Sequence, residues 1–133
     1  MNILLGLTVA VHGLIHLLYA GQSARRFELR PGMAWPDGSW ALSGLLGNET
    51  IRTVATAACV LAGIGFLAGG IALFASQAWW RPVVIGSAAF STLALVLLWD
   101  GKLQALADKG FIAVLINLAI LVALLVRWPR LGF

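Results

Sequence analysis

The sequence predicts an all-α integral membrane protein, a four-transmembrane-helix antiparallel bundle with a long loop between helices 1 and 2. Hydrophobic residues make up 61% of the 133 residues and charged residues 11%, whereas soluble proteins average roughly half and a quarter. Such a chain has too little polar surface to coat a water-soluble core, so we expect lipid to surround most of it. The length predicts a single domain, 1–133.

Four long apolar stretches cover about residues 3–20, 53–74, 83–99 and 111–128. Each meets or nearly meets the length of about 20 residues that a helix needs to cross a hydrocarbon core. Strands of a transmembrane β-barrel would be about half as long and would alternate polar with apolar residues. The first stretch lacks a basic leader and a small-x-small cleavage site, so we expect a retained helix rather than a secretory signal.

The predicted helices divide the polar segments between two sides of the membrane. Side A holds the N-terminus, the turn 76–82 and the C-terminal tail, whereas side B holds the loop 21–52 and the connection 100–110. All five acidic residues fall on side B: Glu28, Asp37, Glu49, Asp100 and Asp108. Six of the nine basic residues also fall there, which by the positive-inside rule alone would place side B in the cytoplasm, but the rule weakens in a long loop and side A has no acids, so the charges leave the orientation open. The basic residues form no stripe, so we expect lipid headgroups and not nucleic acid as their partners.

The loop on side B is longer than the usual connection between bundle helices, which favours a lid or docking role. Within this loop, residues 39–46 are predicted to form a short helix that lies in the membrane interface.

The only two histidines, His12 and His16, lie one helical turn apart inside the first apolar stretch. An ionisable residue at membrane depth is by default a functional-site hypothesis. The other three stretches place polar groups at a similar depth from side B: Thr56 and Cys59, Ser91 and Thr92, and Asn117. Because the half near side A is almost entirely apolar, we expect a blind cavity open to side B, and not a pore lined with polar groups throughout.

Three interpretations of the histidine pair stay open at this point. Two histidines at i and i+4 suit one metal ion, with His12, His16 and Cys59 as candidate ligands. A haem held by both histidines of one chain is disfavoured, because axial ligands approach from opposite faces. Alternatively, the imidazoles hydrogen-bond Asn117, Ser91 or Thr92 and fix the helix register. The third interpretation, which we favour, is that they contact a small organic molecule in an apolar pocket.

The leading functional hypothesis is therefore a membrane-embedded binding or transport-related module for a small molecule or metal ion. Its ligand-binding residues would be His12 and His16, supported by further polar groups: Asn117, Asp100, Ser91 and Thr56. One alternative is a membrane redox or enzyme subunit that acts on a quinone or lipid, with His16 as acid or base. The sequence contains no hydrolase elbow, phosphate loop or paired-cysteine motif, so hydrolase and nucleotide-binding functions have no support.

A further alternative is a structural or assembly subunit of a membrane complex. Gly65 and Gly69 form a GxxxG pattern, which allows close approach of helices in lipid. We favour packing within the bundle for this face, with homo-oligomerisation through it as the alternative.

The string His12-Gly13-Leu14-Ile15-His16-Leu17 resembles the first helix of a set of small bacterial four-helix membrane proteins, in which His-Gly-x-Ile-His-Leu recurs. Later features also resemble those proteins: Trp79-Trp80 before helix 3, and Asp100, Lys102, Gly110 and Asn117 leading into helix 4. The set is loosely similar in size and layout to the DoxX-like membrane proteins. The resemblance implies a four-helix fold in a bacterial inner (plasma) membrane with side A inside, and it implies no particular activity.

Overall fold

The computed structural model describes residues 2–133 and is all-helical over that range, without strands. Its four α-helices are α1 (Asn2–Ser23), α2 (Asn48–Phe74), α3 (Trp80–Leu97) and α4 (Phe111–Leu125), and a 3₁₀ helix (Leu106–Lys109) precedes α4. The predictions of an all-α fold and of four helices are confirmed. Helices α1, α2 and α3 are long and apolar enough to cross a membrane, whereas α4, with 15 residues, is a shorter apolar helix.

Except for the start of α2, every helix bound lies within three residues of the apolar stretch that predicted it. Helix α2 begins at Asn48, more than one turn before residue 53, because a polar first turn that includes Glu49 extends it into the loop. A carboxylate near a helix N-terminus is stabilised by the helix dipole. Helix α4 ends at Leu125 rather than near residue 128, because Arg127 adopts a left-handed conformation, with φ at 59°, and reverses the chain.

Polarity in this fold is the reverse of that in a water-soluble protein. Leucines on the outer helix faces are largely exposed, with Leu4 at 69% and Leu93 at 66%. Both histidines, by contrast, are only 3% exposed and Asn117 is fully buried. A surface of exposed leucines around buried polar groups is the arrangement expected where lipid is the solvent.

A seam of glycines brings α1 and α2 into backbone contact. A Cβ atom added to Gly13 would lie 2.9 Å from the carbonyl oxygen of Gly63, and one added to Gly70 would lie 2.9 Å from that of Gly6. Only glycine leaves room for such an approach, which is how helices in lipid gain van der Waals contact.

The GxxxG face of α2 packs on α3 of the same chain. An added Cβ would overlap the Ser87 hydroxyl at Gly65 and the Val84 side chain at Gly69. This is the packing that we favoured for these glycines. Homo-oligomerisation through the same face would require α3 to move away from it.

The loop between α1 and α2 is fastened to the end of α1. Gln22 is fully buried; its amide donates to the carbonyl oxygens of Met33 at 3.0 Å and Trp35 at 3.2 Å, and it accepts from the Leu29 amide at 2.9 Å. The Arg25 guanidinium donates to the Trp35 carbonyl at 2.8 Å. These bonds hold the loop folded over the side B end of the bundle.

The same loop also covers the C-terminal end of α3. Trp40 donates from its indole nitrogen to the Val96 carbonyl at 2.7 Å and from its amide to the Trp99 carbonyl at 2.8 Å, while Ser39 donates to the Leu97 carbonyl. The last carbonyls of a helix have no partner within it, so these bonds satisfy them. Residues 39–46 form consecutive turns rather than the short helix that we expected, because their first residues bond to α3 and Gly44 interrupts the run.

Apolar packing is divided into two clusters, one toward each side. The side B cluster is built on residues such as Trp35, Ile51 and Leu95, and the side A cluster on residues such as Phe66 and Leu124. Along α3 and α4, the buried residues Ser91 and Asn117 lie between members of the two clusters. A thin polar layer therefore separates two apolar regions.

Candidate functional site

Four buried polar side chains from three helices form this polar layer. The Nε2 atom of His12 lies 2.7 Å from Oδ1 of Asn117, and Nδ2 of Asn117 donates to Oγ of Ser91 at 2.9 Å. His16 completes the set, with Nε2 2.6 Å from Ser91 Oγ and Nδ1 2.9 Å from the carbonyl oxygen of His12. The hydrogen bonds predicted from the histidines to Asn117 and Ser91 are present, whereas Thr92 bonds to Ala88 within its own helix.

The hydrogen bonds among His12, His16, Ser91 and Asn117 form what we call the histidine circuit, and one backbone carbonyl fixes which atoms in it donate and which accept. A carbonyl oxygen can only accept, so His16 donates to it from Nδ1–H. In neutral His16 the Nε2 atom is then an acceptor, and the Ser91 hydroxyl must donate to it. Ser91 in turn accepts from the Asn117 amide, which leaves Oδ1 of Asn117 to accept from His12 Nε2–H. The two imidazoles therefore carry their protons on different nitrogens.

This circuit leaves a single ring nitrogen unused. The Nδ1 atom of His12 is buried and has no hydrogen-bond partner among the described residues. The His12 ring is enclosed by the rings of His16 and Phe66, each with its centroid 4.7 Å away. Chemically, this nitrogen is a free acceptor in an apolar setting, and the other three ring nitrogens already serve the circuit.

The histidines are not surrounded by the cavity that we expected. The space beside His16, lined by residues that include Tyr19, Cys59 and Leu95, has no room for a water molecule. Apolar side chains of the side B cluster fill the region where an opening was predicted. Among residues 2–133, no group of three or more His, Cys, Asp or Glu side chains is arranged to hold a metal ion.

Two residues predicted from α2 lie apart from the histidine circuit. The hydroxyl of Thr56 lies 2.7 Å from that of Ser23 and donates to the Arg52 carbonyl at 2.8 Å. Cys59 is buried in the side B apolar cluster, where it lines the filled space beside His16. Thr56 thus links α1 to α2 near the side B end of the bundle.

Asp100 lies beyond the end of α3 and pairs with a lysine. Its carboxylate is 3.1 Å from Lys109 Nζ and accepts from the Lys102 amide at 2.9 Å. Desolvation raises the pKa of Asp100, but the hydrogen bonds from Lys102 and Lys109 together with their positive charges outweigh it, so the pKa lies below its ordinary value. Asp100 therefore joins the side B surface and not the buried histidines.

A second polar site lies beneath the loop at the side B end. This pocket has a volume of about 250 Å³ and its polar lining includes Asp37, Asp100, Asp108 and Lys109. Met33, Trp35 and Leu98 provide its apolar lining. An ion pair of 2.6 Å between Arg30 and Asp108 links the loop to the 3₁₀ helix at this end.

Trp35 is the least expected residue of this pocket. It is only 4% exposed, yet its indole N–H is buried without a hydrogen-bond partner. Its ring packs edge-on against Tyr19, with centroids 5.3 Å apart, and Tyr19 lies one turn of α1 above His16. Trp35 and Tyr19 therefore connect the pocket to the histidine circuit.

Sequence reasoning missed Trp35, Lys109 and Tyr19 as site residues. A tryptophan beside Pro36-Asp37-Gly38 has the character of an interfacial anchor, and nothing local indicates that the loop folds inward. The signal that could have indicated a polar site at this end is the composition, since segments 21–52 and 100–110 together contain all five acidic residues.

Comparisons with protein families, curated proteins and solved structures found no match to this chain.

Proposed function

We propose that this chain is a membrane-embedded binding module for a small organic molecule, which it binds in the pocket beneath the side B loop. The observation that carries the proposal is the indole N–H of Trp35, a buried donor without a partner in a residue that lines a pocket. Buried donors in native proteins almost always have a partner. A ligand acceptor atom would supply the missing one.

The proposal places the chain in the bilayer as an antiparallel four-helix transmembrane bundle. Three helices have the length and composition to cross, and the outward leucines of all four suit contact with lipid. Helix α4 is about 22 Å long at about 1.5 Å per residue, which is shorter than a hydrocarbon core of about 30 Å. Local thinning of the bilayer and the flanking 3₁₀ helix would make up the difference. We place the bundle in a bacterial inner membrane, on the resemblance of its first helix.

The lining of the pocket suggests the chemistry of its ligand. The indole N–H of Trp35 has no hydrogen-bond acceptor. The carboxylate of Asp37 is exposed and forms no ion pair among the described residues. A compact molecule with an oxygen acceptor and an amine or hydroxyl donor fits both requirements. Trp35 and Asp37 thereby replace His12 and His16 as the principal contacts, because the histidine circuit is closed.

In this proposal the histidine circuit supports the pocket from below. It ties α1 to α3 and α4 by hydrogen bonds that are worth about 0.6–2 kcal/mol each in a membrane. Direct contact of His12 with a ligand stays a prediction that rests on its free Nδ1 atom.

Native mass spectrometry of the protein, released gently from its host membrane, tests the proposal. We expect a small-molecule adduct at one copy per chain, and we expect Trp35→Phe to lose it because phenylalanine keeps an aromatic ring but has no N–H donor. The matched control is Trp128→Phe, since Trp128 is exposed beyond α4 and lies outside the pocket. An adduct that survives Trp35→Phe unchanged, or no adduct with the wild-type chain, would contradict the proposal.

A further inference from the structure

Three arginines converge on a groove at the opposite end of the bundle. Arg81 belongs to the first turn of α3, whereas Arg127 and Arg130 follow the end of α4. All three line one groove with a volume of about 790 Å³ on side A. The fold thus brings Arg81 beside two arginines that lie 46 and 49 positions later in the sequence.

The groove is held in shape by Arg81. Its guanidinium donates to the Leu124 carbonyl at 3.3 Å and to the Pro129 carbonyl at 2.8 Å, which fastens the segment after α4 to the start of α3. The same group lies over the Trp80 ring, 4.8 Å from its centroid. A guanidinium has five N–H donors, so Arg81 keeps donors for a further partner.

Positive charge in this groove is not neutralised by the protein. Arg127 and Arg130 are exposed, and neither forms an ion pair among residues 2–133. All five acidic side chains of the sequence belong to the loop, the start of α2 and the connection 100–110, at the other end of the bundle. An anion in the groove would therefore meet three cations and no acidic side chain of residues 2–133.

The walls of the groove are apolar and face outward. Ile85, Leu125 and Phe133 line it beside the arginines, and Leu125 is 68% exposed. A free inorganic anion gains nothing from such walls, whereas an acyl chain gains by covering them. Charge and apolar surface together fit a molecule with an anionic head and an apolar tail.

We infer that this groove is a binding site for an anionic phospholipid, with its phosphate held by Arg81, Arg127 and Arg130. Guanidinium groups bind phosphate through paired, charge-assisted hydrogen bonds. Basic pockets at the ends of membrane helices bind anionic headgroups in the same way. The inference rests on the transmembrane placement proposed above and is independent of the pocket on side B.

Lipid titration by native mass spectrometry of the full chain in detergent tests this site. The probes are phosphatidylglycerol and phosphatidylcholine with the same acyl chains. We expect tighter binding of phosphatidylglycerol, and a loss of about tenfold or more in Arg127→Gln/Arg130→Gln, since each cation near a headgroup is worth roughly fivefold. The matched control is Arg26→Gln/Lys102→Gln, which removes two exposed charges from side B. Its net charge therefore equals that of the Arg127→Gln/Arg130→Gln variant.

Three results would overturn the inference. Equal binding of the two lipids would show that the groove does not select charge. An equal loss in both double variants would show a diffuse effect of net charge. Displacement of the lipid by millimolar inorganic phosphate would identify a free-anion site. Flotation of vesicles washed with alkaline carbonate separates these outcomes from failure of the membrane placement itself, because the wash releases a chain that is bound only to the membrane surface.

Discussion

At the scale of single residues, the best-defined feature is the proton arrangement of the histidine circuit. Since His16 Nδ1 faces a carbonyl oxygen, every donor and acceptor around the ring of bonds follows from that contact. No carboxylate among the described residues hydrogen-bonds to the circuit, so a charged imidazole would have no counter-ion there.

This arrangement predicts opposite neutral tautomers for the two histidines. Solid-state ¹⁵N NMR of the labelled protein in lipid should find His12 protonated at Nε2 and His16 protonated at Nδ1, because only that pair satisfies the circuit. Spectra that give both histidines the same tautomer would refute the assigned direction.

Removal of the central hydroxyl should cost more than one hydrogen bond. Ser91→Ala leaves both His16 Nε2 and the Asn117 amide without a partner, so we expect a loss of about 1–3 kcal/mol in unfolding free energy. The control is Ser87→Ala one turn earlier, whose hydroxyl bonds only to the Val83 carbonyl of its own helix. Thermal unfolding in detergent measures both, and equal losses would show that the circuit adds nothing to stability.

How far single residues could be predicted depended on where they lie. A histidine or asparagine in an apolar segment must find a polar partner, so bonds from His12 and His16 to Asn117 or Ser91 were one of the alternatives that depth indicated, although we favoured contact with a ligand. The burial of Trp35 could not be predicted, because it depends on bonds from Gln22 and Arg25 to loop carbonyls that no local pattern indicates.

At the scale of helices, lengths and approximate ends were predictable from the apolar runs, whereas the backbone conformation that ends each helix was not. Three helices end through a residue with left-handed conformation, Arg25, Ser76 or Arg127, each with φ between 55° and 59°. In each case the next amide bonds back across the turn, as Trp128 does to the Ala123 carbonyl at 2.9 Å. Glycine usually occupies this position, so a helix end without glycine gives no signal in the sequence.

The glycine seam makes a prediction at the same scale. Gly13→Ala should force α1 and α2 apart, because its Cβ would lie 2.9 Å from the backbone oxygen of Gly63, which cannot rotate away. We expect a loss of about 1–3 kcal/mol in unfolding free energy. Gly86→Ala on α3 is the control, since nothing lies within 4 Å of its added Cβ and alanine favours the helix by about 1 kcal/mol.

Thermal unfolding of the two glycine variants side by side provides the measurement. Gly13→Ala with stability equal to that of Gly86→Ala would mean that the α1–α2 contact is looser than the seam implies.

At the scale of the whole molecule, polarity is sorted in three ways. Leucines face outward, a thin polar circuit lies within, and the acids and the three grouped arginines occupy opposite ends. Composition and run length predicted the helical class, because they report the solvent around the chain. The pocket and the lipid groove depend on how distant segments meet, as Arg30 meets Asp108 and Arg81 meets Pro129, and such meetings are set by tertiary packing.

Counting the membrane crossings tests the four-helix transmembrane bundle most directly. Helix α4 is the shortest helix, and whether it crosses decides on which side of the membrane the C-terminal segment lies. In a Cys59→Ala background, single cysteines at Gln77, Gly44 and Gly132 can be labelled with an impermeant maleimide in sealed, oriented vesicles. If all four helices cross, positions 77 and 132 react from one side and position 44 reacts from the other. Labelling of position 132 from the same side as position 44 would show that α4 does not cross, and would contradict the four-helix transmembrane bundle.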